Sequence, residues 1–172
     1  MGYKVVITGT TGMVGKGVLL ECMDHPGIDQ ILIVNRNSLQ ISHPKVKEVL
    51  VENFFDLAGI SNDLKGYDAC FFCLGITSIG QTEVSYSKTT HDLTLHFAQA
   101  FIDQNPKSIF CYVSGAGTDS TEKGRSMWAR VKGKTENDLL SMDFKGAYMF
   151  RPGYIQPLRG IKSKTGWYQA LY

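Results

Sequence analysis

The stretch that most constrains this chain is its first fifteen residues, where an apolar run at Tyr3–Thr8 passes into Thr8-Gly9-Thr10-Thr11-Gly12-Met13-Val14-Gly15 and on into an amphipathic segment ending near Met23. Glycines between a buried strand and a helix let the backbone turn sharply and leave its N–H groups bare. The dipole of the helix that follows favours an anion at that spot. A phosphate-binding turn is therefore expected, with Gly15 allowing the helix to lie close against the sheet.

The same rhythm continues along the chain. Apolar runs are predicted as strands at about Gln30–Val34, Val46–Val51, Ala69–Cys73, Ile109–Val113 and Ala147–Phe150. The turn His25-Pro26-Gly27 ends the first helix, Asn105-Pro106 ends a helix over Ser85–Gln104, and Arg151-Pro152-Gly153 stops the last strand. In the Ser85–Gln104 segment Tyr86, Leu93, Phe97, Ala100 and Phe101 recur at helical spacing, and Ser126–Met142 reads as one more helix. Strands alternating with helices, joined by right-handed crossovers, predict an α/β fold: a doubly wound parallel sheet of Rossmann type in three αβα layers.

Composition narrows the function classes. The 172 residues suit one domain over 1–172, and 43% apolar with 20% charged residues is an ordinary globular balance. A net charge of +2 with scattered Lys and Arg gives no basic stripe, so no nucleic-acid partner is expected. The chain begins with no charged and apolar leader, and no apolar run nears the roughly 20 residues that span a bilayer. A cytoplasmic location is the default expectation. Cys70 and Cys73 mimic a C-x-x-C pair, but three residues apart on a strand they point to opposite faces, so neither a disulfide nor a metal site is expected. His91 and His96, five apart on a helix, stand roughly 140° apart around its axis, which separates them as metal ligands. They read as surface or edge histidines.

After the second strand comes Val34-Asn35-Arg36-Asn37, where this fold meets the adenosine ribose. An acidic residue there would accept from the ribose hydroxyls of NAD; Arg36 offers a charged fork for a 2′-phosphate. NADP(H), with NADPH over NADH, is the expected cofactor.

Five stretches in order, TGTTGMVG, CLGITS at Cys73–Ser78, VSGAG at Val113–Gly117, VKGKTE at Val131–Glu136 and FRPGYI at Phe150–Ile155, resemble the atypical short-chain dehydrogenase/reductases, within them the branch of the Tat-interacting tumour suppressor and its bacterial relatives. The resemblance runs from about Tyr3 to Gly160. It implies a pyrophosphate held around Gly9, Thr11, Gly12, Met13, Val14 and Gly15, adenine near Asn53 and Phe54, backbone passing the cofactor at Leu74 and Gly75, and the loop Pro152-Gly153-Tyr154 at the nicotinamide. Asn53 stands where the family carries an aspartate. Active members use a serine, then a tyrosine and a lysine four apart; Ser114 and Lys132 fill the outer positions, while the tyrosine position is Trp128. An indole N–H donates a hydrogen bond but carries no exchangeable acid proton near neutral pH. Losing a general acid commonly costs about 10²- to 10⁴-fold in rate.

Tyr112, Tyr154 and Tyr86 are the candidate substitute acids, though each reads first as a residue buried in the core. The expected function is NADP(H) binding, with oxidoreductase chemistry on a carbonyl or alcohol substrate. The alternatives are a catalytically inactive NADP(H)-sensing module and, behind it, a fold kept for protein contacts alone. Family members continue past the sixth strand into elements that cover the substrate, so a substrate-covering part cut short from about residue 158 is expected. Arg159, Lys162 and Lys164 beside Trp167, Tyr168, Leu171 and Tyr172 read as the start of that subdomain rather than as a membrane-surface segment, and an exposed apolar end there favours self-association.

Overall fold

The computed structural model describes residues 2–161. The strands are β1 (Tyr3–Thr8), β2 (Ile28–Asn35), β3 (Val46–Leu50), β4 (Ala69–Phe72), β5 (Ile109–Val113) and β6 (Gly146–Phe150). They form one parallel sheet in the order β3-β2-β1-β4-β5-β6. The helices are α1 (Met13–Asp24), α2 (Glu83–Ser87), α3 (Leu93–Gln104) and α4 (Met127–Ser141). This is the doubly wound Rossmann architecture. Its strand order reverses between β1 and β4, so the C-terminal ends of those two strands open the crevice where such folds take ligands.

Alternation along the central strands feeds two cores. Val5 and Ile7 of β1 with Ile31 and Ile33 of β2 pack under Leu19 and Cys22 of α1. On the opposite face Val6, Leu32, Val34, Cys70, Phe72, Phe110 and Tyr112 meet Phe97, Phe101 and Leu139 from α3 and α4. The aromatic rings interlock there, with Phe72 5.5 Å from Phe97 and 5.8 Å from Phe110 between ring centres. Strands buried on both faces explain why their runs are almost wholly apolar.

Most ends fall within a residue of the sequence reading, and two features differ from it by more. The second strand starts at Ile28, because the Pro26-Gly27 turn is tight enough for the Gly27 carbonyl to accept from Tyr3 N at 2.7 Å. The long helix over 85–104 is not uniform: α2 runs into a π-helical turn at Lys88–Asp92 before α3. In that turn His91 is largely covered, with Nδ1 2.7 Å from Asp92 and Nε2 2.7 Å from Asp138 of α4. It is an interhelix tie and not a surface histidine, whereas His96 stays exposed beside Phe55, 5.9 Å between rings.

Arg159 turns back to α1, 2.6 Å from Asp24 and 3.3 Å from Glu21. Its charge is thus engaged within the fold. Lys162, Lys164, Trp167, Tyr168, Leu171 and Tyr172 lie outside the described residues. Among the described residues no helix is long and apolar enough to cross a membrane.

Candidate functional site

The glycine loop at the end of β1 contains two kinds of glycine. Gly9 has φ +70°, and a Cβ there would stand 2.6 Å from the Cys73 carbonyl oxygen. At Gly15 a Cβ would meet the Gly9 carbonyl oxygen at 2.3 Å. Both are demanded by packing of loop, helix and β4 against one another. Gly12 differs: its backbone is extended, and a Cβ would touch only the Gly9 oxygen at 3.3 Å. The space in front of Gly12 is open.

Gly12 is also the N-cap of α1, and no side chain caps this helix or places a carboxylate in its first turn. The first amides of a helix have no intrahelical acceptor, and among the described residues those of Met13 and Val14 make no backbone bond. The Thr10 hydroxyl, buried beside them, turns away and donates to Asn35 Oδ1 at 2.8 Å. Thr11 is exposed. The loop therefore presents bare N–H groups and a dipole where a phosphate is expected.

Asn35 closes β2, and its Nδ2 donates to Glu48 Oε1 on β3 at 3.0 Å. The same carboxylate accepts from Leu39 N at 3.0 Å and from the Ser38 hydroxyl, so it pins the loop that carries Arg36. Burial works to raise its pKa, but the bonds from Ser38, Leu39 and Asn35 outweigh it and hold the carboxyl below the ordinary glutamate value. Arg36 itself is exposed and has no hydrogen bond or ion pair among the described residues. Sequence reasoning singled out Arg36 and missed Thr10, Asn35 and Glu48. The legible signal was an Asn ending a buried strand, followed by Ser38 in the turn.

Further along the sheet edge the expected positions separate. Asn53 Oδ1 accepts from Phe55 N at 3.0 Å, holding a turn, while Phe54 is buried against Phe97 with ring centres 6.0 Å apart. The Phe54 side chain thus belongs to the core; a cofactor could meet only its backbone. Leu74 packs partly on the same core, and Gly75 is exposed with open space where a side chain would stand. The Pro152 carbonyl accepts from Ala116 N at 2.8 Å, tying the loop after β6 to the loop after β5, and Gly153 and Tyr154 are exposed.

Ser114 follows β5 and is buried, with Oγ 2.9 Å from the Thr118 hydroxyl. Thr118 spends its own proton on the Gly115 carbonyl at 2.8 Å, so Ser114 is the donor of that pair. Lys132 on α4 lies under the same strand: Nζ donates to the Val113 carbonyl at 3.2 Å and to Tyr112 Oη at 3.4 Å, and sits 5.1 Å from the centre of the Tyr112 ring. Burial of its ammonium lowers the pKa to about 8, against an opposing pull from Glu136. Trp128, one turn earlier, lays its indole on the loop, 3.6 Å from where a methyl at Gly115 or Gly117 would stand. Ser114, Lys132 and Trp128 are brought together around 113–117.

The substitute acids fare differently. Tyr112 is fully buried, and desolvation drives its hydroxyl far above the usual tyrosine range. Tyr86 is buried with its pKa raised for the same reason. A buried phenol held protonated is a poor proton exchanger. Tyr154 is exposed. Cys70 is sealed in one core, whereas Cys73, expected on the fourth strand, lies past the end of β4 with its N–H donating to Thr8 Oγ1 at 3.2 Å.

No family model matches the chain. Among curated relatives, the mitochondrial protein fmp52 of Emericella nidulans is 28% identical over 159 residues, covering 88% of this chain and 66% of its own length. The Saccharomyces cerevisiae protein FMP52, also named mitochondrial, is 27% identical over 164 residues, covering 93% and 68%. The chain thus spans about two thirds of the length of these relatives. Their names overturn the cytoplasmic expectation, which rested on nothing more than the lack of a recognisable leader.

Solved structures agree on the fold. A short-chain dehydrogenase from Burkholderia cenocepacia in complex with NADP superposes with a TM-score of 0.71 at 13% identity, covering 95% of this chain and 78% of that one. Uronate dehydrogenase from Agrobacterium tumefaciens gives 0.64 at 14% identity, covering 80% and 54%.

Proposed function

We propose that this chain is a nicotinamide dinucleotide-binding domain of the atypical short-chain dehydrogenase/reductase kind, taking NADP(H) in preference to NAD(H) and working in the mitochondrion. The observation that carries the reading is the uncapped start of α1 with open space before Gly12, beside two glycines that packing already requires. The Arg36 side chain, exposed and without a hydrogen bond or ion pair among the described residues, supports the 2′-phosphate preference. The five ordered motifs support placement beside the Tat-interacting tumour suppressor branch, and the mitochondrial names of the relatives support the location. Ser114, Lys132, Pro152 and Tyr154 then flank the nicotinamide end, and a bound NADP(H) would supply hydride transfer.

Calorimetric titration of NADPH and NADH into wild type and Arg36→Ala tests this. NADPH binds tighter to wild type, and the mutant loses that advantage alone. Equal affinities in wild type would remove the role of Arg36, and no heat with either cofactor would remove the reading itself.

A second reading, a cofactor-sensing module without turnover, is favoured by Trp128 in the acid position and by the burial of Tyr112 and Tyr86. NADPH consumption with small aldehydes and ketones separates the two. A sensor shows none, and in an otherwise sound site Trp128→Tyr restores measurable reduction while leaving affinity nearly unchanged.

A further inference from the structure

We propose that Glu48 is the positioning residue for cofactor discrimination, acting through Arg36; this rests on the dinucleotide reading above. Hydrogen bonds run in one direction from the phosphate loop to this carboxylate: Thr10 donates to Asn35, and Asn35 to Glu48. From the other side, Leu39 N and Ser38 Oγ donate to the same group, and Ser38 accepts in turn from Gln40 N at 3.0 Å. Gln40 holds φ +51°, a conformation uncommon for residues other than glycine. A single carboxylate thus holds Ser38 and Leu39 after Arg36 and, through Asn35 and Thr10, joins them to the glycine loop.

The arrangement has a specific consequence. Glu48 spends both oxygens on donors of the protein, so it is not the acidic residue that receives ribose hydroxyls. Its work is to hold the backbone on which Arg36 stands, and a guanidinium fork recognises a phosphate only when its base is fixed. Without Glu48 the segment from 36 to 40 loses its two anchoring bonds, from Ser38 and Leu39, and Asn35 loses its acceptor, while the bare amides of Met13 and Val14 stay in place. Discrimination is therefore lost before binding is.

The test measures NADPH and NADH affinities of Glu48→Ala, Glu48→Gln and Arg36→Ala by calorimetry, with thermal melts as the folding control. In Glu48→Ala, NADPH affinity falls about tenfold or more and NADH affinity less than about threefold, the scale of a lost charge-assisted bond. Glu48→Gln keeps an oxygen for Asn35 and Leu39, and Ser38 can reverse its hydrogen, so the preference returns to within about threefold of wild type. Should Glu48→Ala not fold, the exposed Ser38→Ala cuts the same loop bond and must also lower NADPH affinity selectively.

An equal fall for both cofactors would show Glu48 to be merely structural and overturn the proposal. So would an unchanged ratio in a wild-type background that does prefer NADPH through Arg36. A wild type without preference, or blind to Arg36→Ala, overturns the proposal by removing the underlying reading, an outcome distinct from the other two.

Discussion

Gly12 and Gly15 lie three residues apart in the same loop, yet substitution at each should fail in a different assay. At Gly15 an alanine Cβ meets three backbone atoms, the Gly9 oxygen at 2.3 Å, the Gly9 carbonyl carbon at 2.6 Å and Thr10 N at 2.9 Å. Backbone cannot swing aside as a side chain can, so Gly15→Ala is expected to cost about 3 kcal/mol, the upper part of the overpacking range. For a domain of this size that is a fall of about 6 to 12 °C in Tm. At Gly12, φ −90° and ψ 165° suit any residue, and the one close atom is 3.3 Å away. Loss of a tolerated N-cap glycine is partly offset by a less flexible unfolded chain, leaving the stability of Gly12→Val within about 1 kcal/mol of wild type. Its branched side chain stands where the pyrophosphate must approach. Losing two charge-assisted bonds there lowers NADPH affinity by about 100-fold or more. Urea denaturation followed by circular dichroism reads the first effect and calorimetry the second. A folded Gly12→Val that binds NADPH as wild type does, or a Gly15→Ala as stable as wild type, would refute the division of roles.

Three further outcomes are expected. In a Trp167→Phe background, saturating NADPH changes the fluorescence of Trp128, because its indole covers the Gly115–Gly117 loop; an unchanged spectrum would place the nicotinamide elsewhere. Burial holds the Lys132 pKa at about 8 in the fold against 10.5 unfolded, so this group's contribution to stability rises with pH across that window, while the raised thiols of Cys22, Cys70, Cys73 and Cys111 contribute with the opposite sign at its upper end. The Lys132 share, up to about 3 kcal/mol, is read as the difference between the wild-type and Lys132→Met profiles, and equal pH profiles in urea melts would contradict it. Arg151 donates Nε to both oxygens of the buried Glu136 carboxylate at 3.0 and 3.1 Å, so Arg151→Met leaves an unpaired buried charge and costs about 3 kcal/mol; a loss under 1 kcal/mol in urea would show that solvent replaces the guanidinium.

The strands and the glycine turn were legible because their physics is local. Val5–Val6–Ile7 and Ile31–Val34 must be apolar throughout to be buried on both faces, and Gly9 and Gly15 are forced by contacts inside one short loop. The rest depends on contacts between distant parts of the chain. Glu48 looks like a polar residue on a half-exposed strand until Asn35 and Ser38, 13 and 10 residues away, are folded against it. His91 looks like a surface residue until the π-helical turn aims it at Asp138, 47 residues on. The spacing from Trp128 to Lys132 put both on one helix face, but it could not show that Lys132 would settle on Tyr112 and the Val113 carbonyl. Nor could Asn53-Phe54 reveal that the phenyl ring is committed to Phe97.

The central claim is that a dinucleotide pyrophosphate rests on the uncapped start of α1. A crystal structure of the chain grown with saturating NADPH measures this directly. The account predicts pyrophosphate oxygens about 3 Å from the amides of Met13 and Val14, in front of Gly12, with the 2′-phosphate on Arg36. A dinucleotide bound away from this loop, or none at saturation, would contradict it.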